Sequence, residues 1–412
     1  MSPKTNIPTK KNKPKPTSKQ ILEGSAAIAH IINNIQPQVV SAYPITPQTH
    51  IVEDLAKLKA DGEATYEYVR AESEFAAASI VTGAAATGVR TYTATSSQGL
   101  LLMAEVVFNI AGMRLPIVMT CANRAVSAPI NIWNDHQDAM TVRDAGWIML
   151  FAENHQEAIE QHLLAYKVGE KLNLPVMVNV DGFVLTHTNE SVIIPSVAQI
   201  KKYLPAYKPA KGTYLDPEKP VTLGSFASPA HYMELRQELH DDLRKSAEMI
   251  NQEYEILKQI IPDAIKQKEE ATRHNTALTE YYGPRNPKTV LIAMGSVVGT
   301  IKDVIDQENK GLSLKGGVGI LKIKCYRPFP EKEILELIKK ADNVAVIEKA
   351  ISLGATDGPL TLDVKAAAKN HCLAKIQGFI VGLGGRDITS QMIKTIIQKA
   401  KLNSDKMEFI GK

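Results

Sequence analysis

The chain has 412 residues, of which 44% are hydrophobic and 22% charged, and a formal net charge of +4. This is ordinary globular composition, long enough for about two or three domains. No apolar run approaches the ~18 residues of a membrane span, and the small basic excess sits at one end of the chain, so neither a membrane nor a nucleic-acid partner is expected.

Residues 1–20 hold six lysines, four prolines and no acidic residue, and read as a disordered basic tail. They lack the apolar segment of a secretory signal and the arginine-rich amphipathicity of a transit peptide. Cys121, Cys325 and Cys372 show no CxxC spacing and read as reduced core thiols of a cytoplasmic protein. From 21 to about 190, helix and strand patterns alternate. Helices are expected over 21–33, from about 50, over 75–86, over 99–113 and near 155–172. Strands are expected over 39–42, 90–95, 116–121, 148–151 and 175–180. Such alternation predicts a doubly wound parallel sheet wrapped by helices. Residues 190–225, rich in proline and lysine, read as a surface connection, and 229–259 as a charged helical arm with Leu235, Leu239, Leu243 and Met249 at helical spacing. After breakers at 275–288 a second α/β unit follows, with strands over 289–293, 319–324, 343–347 and 376–381 and helices over 298–307, 331–340 and 359–369. The expected division is a tail over 1–20, a first domain with its arm over 21–265, and a second domain over 266–412.

One stretch stands out chemically. Ser41-Ala42-Tyr43-Pro44-Ile45-Thr46-Pro47-Gln48-Thr49 joins the buried strand at 39–42 to an amphipathic helix with Ile51, Val52, Leu55 and Leu58 at helical spacing. Two prolines stiffen the turn around a threonine hydroxyl, at a strand-to-helix junction of the kind where open α/β sheets bind ligands. A proline-punctuated turn with a threonine cap accounts for the same residues. Glu72 and Glu74, at the start of the next helix, both suit the helix dipole there. Asn134-Asp135-His136-Gln137-Asp138 has two carboxylates and an imidazole, but not the spacing of a metal site, and Asp135 reads as a helix cap. No metal site is read in the chain. The 95–99 segment is a strand end meeting a helix start, either an ordinary cap or a place where free amides and hydroxyls face a ligand.

The segment YPITPQT resembles the first signature of the 2-oxoacid:ferredoxin oxidoreductases. RAESEFAAASIVTGAAATG (70–88), TSSQGLLLMAE (95–105), ANRAVSAP (122–129), NDHQDAM (134–140) and NVDGFVLTH (179–187) follow in that family's order. The resemblance is to the alpha subunits of multi-subunit enzymes acting on pyruvate, strong over about 20–265 and looser beyond. It implies a pyrimidine-type thiamine-diphosphate-binding domain, followed by a domain of transketolase C-terminal type. The implied reaction is oxidative decarboxylation of pyruvate with coenzyme A to acetyl-CoA and CO₂, with electrons passing to ferredoxin, and it is reversible. The same chemistry on 2-oxoisovalerate, 2-oxoglutarate or an aryl 2-oxoacid is the alternative.

Thiamine diphosphate needs a carboxyl group against the far nitrogen of its aminopyrimidine ring, buried so that it stays protonated or shares a proton. Glu74, followed by Phe75-Ala76-Ala77-Ala78, matches the family residue in that role. Glu72, about 200° away around the helix, does not. The resemblance makes Arg124 the fork for the substrate carboxylate and Thr46 a donor to the substrate. It lays Tyr43, Pro44, Ile45, Ser97 and Gln98 against the cofactor, and 134–138 along the substrate cleft. The family's Gly-Asp-Gly signature for Mg²⁺ is missing. Asp61-Gly62, Asp181-Gly182 and Asp357-Gly358 lack both the leading glycine and the trailing asparagine. The diphosphate and Mg²⁺ are therefore expected on a beta subunit. Three cysteines cannot hold one [4Fe-4S] cluster, which takes four thiolates, so clusters are expected on gamma and ferredoxin-like delta subunits. Two rivals stand beside this. A nicotinamide dehydrogenase finds no complete G-x-G-x-x-G at 83–88 or 382–385. A non-catalytic scaffold has no reason to retain Thr46, Glu74 and Arg124 together.

Overall fold

The computed structural model describes residues 19–261, 274–310, 317–371, 373–402 and 404–412. The expected tail up to residue 18, the boundary at 265/266 and Cys372 lie outside the described residues. Among those described, two seven-stranded sheets form, with a two-stranded ribbon beside the first.

The first sheet draws on β2 (Val39–Ala42), β3 (Glu67–Arg70), β4 (Thr91–Thr95), β5 (Val118–Asn123), β6 (Ile148–Phe151) and β7 (Val176–Asp181). These are parallel, in the order β6-β7-β5-β4-β2-β3. Every residue of β4, β5, β6 and β7 is buried; β6 and the start of β5 and β7 carry apolar runs, whereas β4 alternates buried threonines with Tyr92 and Ala94. Helix α1 (Gly24–Ile35) buries Ile28, Ile31, Ile32 and Ile35, and α2 (Thr49–Ala60) buries Ile51, Val52, Leu55 and Leu58, the stripe the sequence presents. Helix α3 (Glu74–Ala86) buries almost only small residues, so its backbone lies close on β2 and β4. Ser73 caps it by accepting from the Ala76 amide at 3.1 Å.

The second sheet places β11 (Thr289–Ala293), β12 (Val318–Ile323), β14 (Asn343–Glu348), β15 (Lys375–Ile380) and β16 (Glu408–Phe409) parallel to one another. β10 (Thr279–Tyr282) and β9 (His274–Asn275) extend its edge antiparallel. Its helices are α10 (Val297–Glu308), α11 (Glu331–Ile338), α12 (Pro359–Ala368) and α13 (Ser390–Ala400).

Several expectations change. Residues 20–23 form β1 (Gln20–Glu23), paired antiparallel with β8 (Asn189–Val192), so the first helix begins at Gly24. Residues 97–112 make two helices, α4 (Ser97–Leu102) and α5 (Ala104–Gly112), separated at Met103. The surface connection includes β8 and α8 (Val197–Tyr203), which starts with a capping box between Ser196 and Gln199. The arm is one helix, α9 (Pro229–Ile260), seated by Leu239, Ile250, Tyr254 and Leu257, while Leu235 stays exposed.

The two sheets are not independent. β13 (Cys325–Arg327) leaves the second unit and adds antiparallel to β6 of the first sheet. Lys322 on β12 is buried with Glu153 at 2.6 Å, Glu157 at 2.8 Å and Glu280 at 3.4 Å, joining both units through one ionic cluster.

Candidate functional site

The site forms where the carboxyl ends of both sheets meet, beginning with the 43–48 loop between β2 and α2. Gln48 is fully buried. Its side-chain amide donates to the Ala94 carbonyl at 2.7 Å, and its Oε1 accepts from the Ile45 amide at 3.2 Å, stapling the turn to β4. Pro47 packs on Gly182, where a Cβ would lie 2.6 Å from the Pro47 ring and 2.4 Å from the Asn123 carbonyl. That close approach requires glycine. Tyr43, Pro44 and Thr46 stay exposed and Ile45 half-buried, while the Thr46 carbonyl accepts a hydrogen bond from a buried side chain.

Arg124, directly after β5, meets that carbonyl: its Nη1 donates to Thr46 O at 2.9 Å and its Nε to Asn131 O at 3.0 Å. Its Nη2 makes no hydrogen bond to the described residues. The side chain is buried, and burial pulls the guanidinium below its ordinary value with Asp138 partly offsetting it. It remains a cation in either case. The structure thus joins Thr46 and Arg124, 78 residues apart, through a backbone carbonyl.

Asp138 organises this corner, and sequence reasoning did not single it out. Its Oδ2 accepts from the amides of Ser97 at 3.0 Å and Arg124 at 2.9 Å, and its Oδ1 from the Asn123 side chain at 3.0 Å. Full burial pushes its carboxyl up to about 6 against the lowering effect of those bonds. The expectation of free groups at 95–99 is corrected at Ser97. Its amide is held by Asp138 and its hydroxyl by the Ala125 carbonyl, at a φ of 45°. Gln98 keeps a donor available, because its Nε2 is buried without a partner. Asp135 is corrected as well. His136 occupies the cap position of α6 (Gln137–Thr141), and the Asp135 carboxylate accepts from Gln137 N at 3.0 Å and from Gly384 N at 3.2 Å. The Gly382–Gly385 segment, which offered a weak dinucleotide reading, clamps the 131–135 loop: Gly384 O accepts from Asn131 at 3.1 Å and Gly385 N donates to Asn134 O at 2.7 Å.

Glu74 opens α3 and is only 7% exposed. Its carboxylate bonds to no described residue. It leans on Gly99 of α4, where a Cβ would lie 2.7 Å from Glu74 Oε1 and 2.5 Å from Thr95 Oγ1, a hydroxyl that is itself buried and unpartnered. The path from Glu74 to Arg124 therefore runs through one short helix: Gly99 receives the glutamate, and Ser97, two residues earlier, shares Asp138 with Arg124.

Behind this corner a buried charge cluster closes the seam. Asp181 Oδ1 meets His136 Nε2 at 2.6 Å, and Oδ2 accepts from Lys349 Nζ at 2.6 Å and Ser296 N at 3.0 Å. Burial alone would raise the Asp181 carboxyl, but Lys349 and His136 override it and hold it well below the usual carboxylate range. Asp181 ends β7, Lys349 follows β14 and Ser296 opens α10, so the cluster locks the second unit onto the loop that carries the site.

Residues 31–255 match the family described as pyruvate flavodoxin/ferredoxin oxidoreductase, thiamine diphosphate-binding, and residues 288–393 match pyruvate:ferredoxin oxidoreductase core domain II. The pyruvate synthase subunit PorA of Methanocaldococcus jannaschii is 45% identical over 95% of this chain and 97% of its own. PorA of Pyrococcus furiosus is 42% identical over 93% of each chain. The ketoisovalerate oxidoreductase subunit VorA of Pyrococcus horikoshii is 38% identical over 93% of this chain and 94% of its own. Among solved structures, a 2-oxoglutarate:ferredoxin oxidoreductase from Magnetococcus marinus has a similar fold, with a TM-score of 0.68 at 19% identity, covering 93% of this chain and 66% of the other. With two family matches on its two α/β units and relatives of this similarity along nearly its whole length, the chain belongs to the pyruvate flavodoxin/ferredoxin oxidoreductase family.

Proposed function

We propose that this chain is the alpha subunit of a pyruvate:ferredoxin oxidoreductase, active in complex with partner subunits. The overall reaction converts pyruvate and coenzyme A to acetyl-CoA and CO₂, with two electrons passing to ferredoxin, and runs in reverse as pyruvate synthesis. The observation that carries the site is Glu74, only 7% exposed, whose carboxylate bonds to no described residue and lies in close contact with Gly99. A carboxyl with no protein partner keeps its hydrogen-bonding capacity for a ligand. A ring nitrogen of an aminopyrimidine fits this donor set, with Thr95 Oγ1 and Gln98 Nε2 also lacking partners nearby. Thiamine diphosphate, when bound, supplies the nucleophilic carbon and the electron sink for decarboxylation.

The chain's own residues have separable tasks. Glu74 is the group placed to share a proton with the ring nitrogen. Arg124 has two of its guanidinium nitrogens committed to Thr46 O and Asn131 O, which leaves Nη2 as its donor for the substrate carboxylate. The Thr46 hydroxyl donates toward the oxygen where negative charge develops. Tyr43, Phe75, Leu102, Ile130, Trp133 and Val184 are exposed apolar side chains on the elements that surround this corner, and they suit a beta subunit bringing the diphosphate and Mg²⁺. Iron–sulfur clusters belong on gamma and delta subunits. Among the described residues no helix is long and apolar enough to cross a membrane, and Cys121 and Cys325 are buried free thiols, which fits the cytoplasm.

The test is dye reduction by the co-purified complex, with pyruvate set against 2-oxoisovalerate, 2-oxoglutarate and phenylglyoxylate. Pyruvate is expected to have the highest kcat/KM. A tenfold preference for another acid would overturn the assignment in favour of that substrate. In the same assay Arg124→Lys is expected to raise KM for pyruvate by roughly tenfold or more, because one ammonium cannot reproduce a planar fork.

A further inference from the structure

We infer that Glu23, His50 and His187 form a binding site for a divalent first-row transition metal ion, with zinc the best match. The three residues are far apart in sequence, so no spacing signals them. The fold brings one ligand atom of each within 4.8 Å of the others. Glu23 ends β1, His50 is the second residue of α2, and His187 lies in the turn that follows β7. The His50 Nδ1 atom lies 2.6 Å from Glu23 Oε1, and the two imidazole rings stand 4.5 Å apart at a 35° tilt.

The donors are held in place before any ion arrives. The Ser25 amide and hydroxyl donate to Thr186 O at 3.1 and 2.9 Å, and the Gly24 amide donates to Thr188 O at 3.2 Å, fixing Glu23 against the His187 turn. His187 Nδ1 lies 2.7 Å from Thr186 Oγ1, which also accepts from the Phe183 amide at 2.8 Å, and the Phe183 ring packs 4.8 Å from the imidazole. An outer partner of this kind orients a ligating histidine. Two imidazoles and one carboxylate are a zinc-type donor set; calcium and magnesium require oxygen-rich cages. The His50 side chain is 46% exposed, so an ion reaches the site from solvent and water completes its coordination.

The site has a structural consequence. α2 continues directly from the 43–48 loop, so an ion bridging His50, His187 and Glu23 ties the base of that loop to β1 and to the turn after β7. The inference does not depend on the reaction assigned above.

The full-length chain, stripped with chelator, is titrated with Zn²⁺ by calorimetry and with Co²⁺ by visible absorption. One equivalent is expected to bind with submillimolar or tighter affinity, with a Co²⁺ spectrum of nitrogen–oxygen ligation. His50→Ala and His187→Ala are expected to weaken binding by at least about tenfold, and Glu23→Gln by less, with circular dichroism unchanged in the absence of metal. Binding that is equally tight in all three variants, or no uptake by the wild-type chain, would overturn the site. Should a histidine variant fail to fold, Glu23→Gln, altering a partly exposed side chain at a strand end, still decides between these outcomes.

Discussion

Replacing Glu74 with alanine is expected to lower pyruvate-dependent dye reduction by the reconstituted complex by about 10²–10⁴-fold, the range for loss of a positioned acid–base group. The fold should survive, because the carboxylate bonds to none of the described residues and its removal strands no protein partner. Gly99→Ala gives a sharper version of the same test. Its new methyl would sit 2.7 Å from Glu74 Oε1 and 2.5 Å from Thr95 Oγ1, so the carboxyl must move while remaining in the chain. A large loss of turnover in both variants, with normal assembly and unchanged melting of the Glu74 variant, is the expected result. Near-normal turnover in Glu74→Ala would remove the residue from the mechanism.

The largest stability effect is expected at Asp181. Asp181→Asn leaves Lys349 buried without its carboxylate and His136 without its anionic partner. Breaking one side of such a pair costs about 3–5 kcal/mol. Urea denaturation at neutral pH measures this directly. The pH dependence follows from the depressed carboxyl of Asp181. In the unfolded chain the group protonates near its ordinary value of about 4, whereas in the folded chain it stays ionised well below that. Its stabilisation is therefore complete above about pH 5 and declines as pH falls toward the folded value. The gap between wild type and Asp181→Asn should narrow between about pH 5 and pH 3. A gap that is constant over that window would show that the ion pair is not its source.

The elements that sequence periodicity located well are those that carry their own apolar stripe or run. Helix α7 (His155–Leu172) and strands β6 and β11 fall where they were expected. The segments it missed take their structure from distant partners. β1 is a strand because β8, some 170 residues later, pairs with it; by itself Ile21-Leu22 continues the apolar pattern of α1. β13 is three residues long and has no pattern of its own, and only the edge offered by β6 makes it a strand. β3 shows no buried residue along its length, so alternation could not mark it.

The candidate site divides the same way. The proline-framed turn, the glutamate heading a helix of small residues and the arginine after β5 were visible, because their backbone settings are local. The choice between Asp135 and Asp138 was not: both are acidic residues of one short polar run. The difference arises because Asp138 alone is turned under the ends of β4 and β5, where two amides need an acceptor. Gly382–Gly385 already lacked a complete dinucleotide fingerprint in the sequence, and the structure shows what it does instead, bonding Asn131, Asn134 and Asp135.

By itself the sequence determined the α/β architecture, the family and the residue types available for chemistry, since these follow from local periodicity and from motifs contained in short runs. Only the tertiary structure decided which polar groups are already spent on one another and which remain open. Hydrogen bonds and ion pairs saturate, and their partners lie as far apart as His136 and Lys349. Thr46 O, Ser97 and Asp181 are occupied, whereas the Glu74 carboxylate and Nη2 of Arg124 bond to none of the described residues.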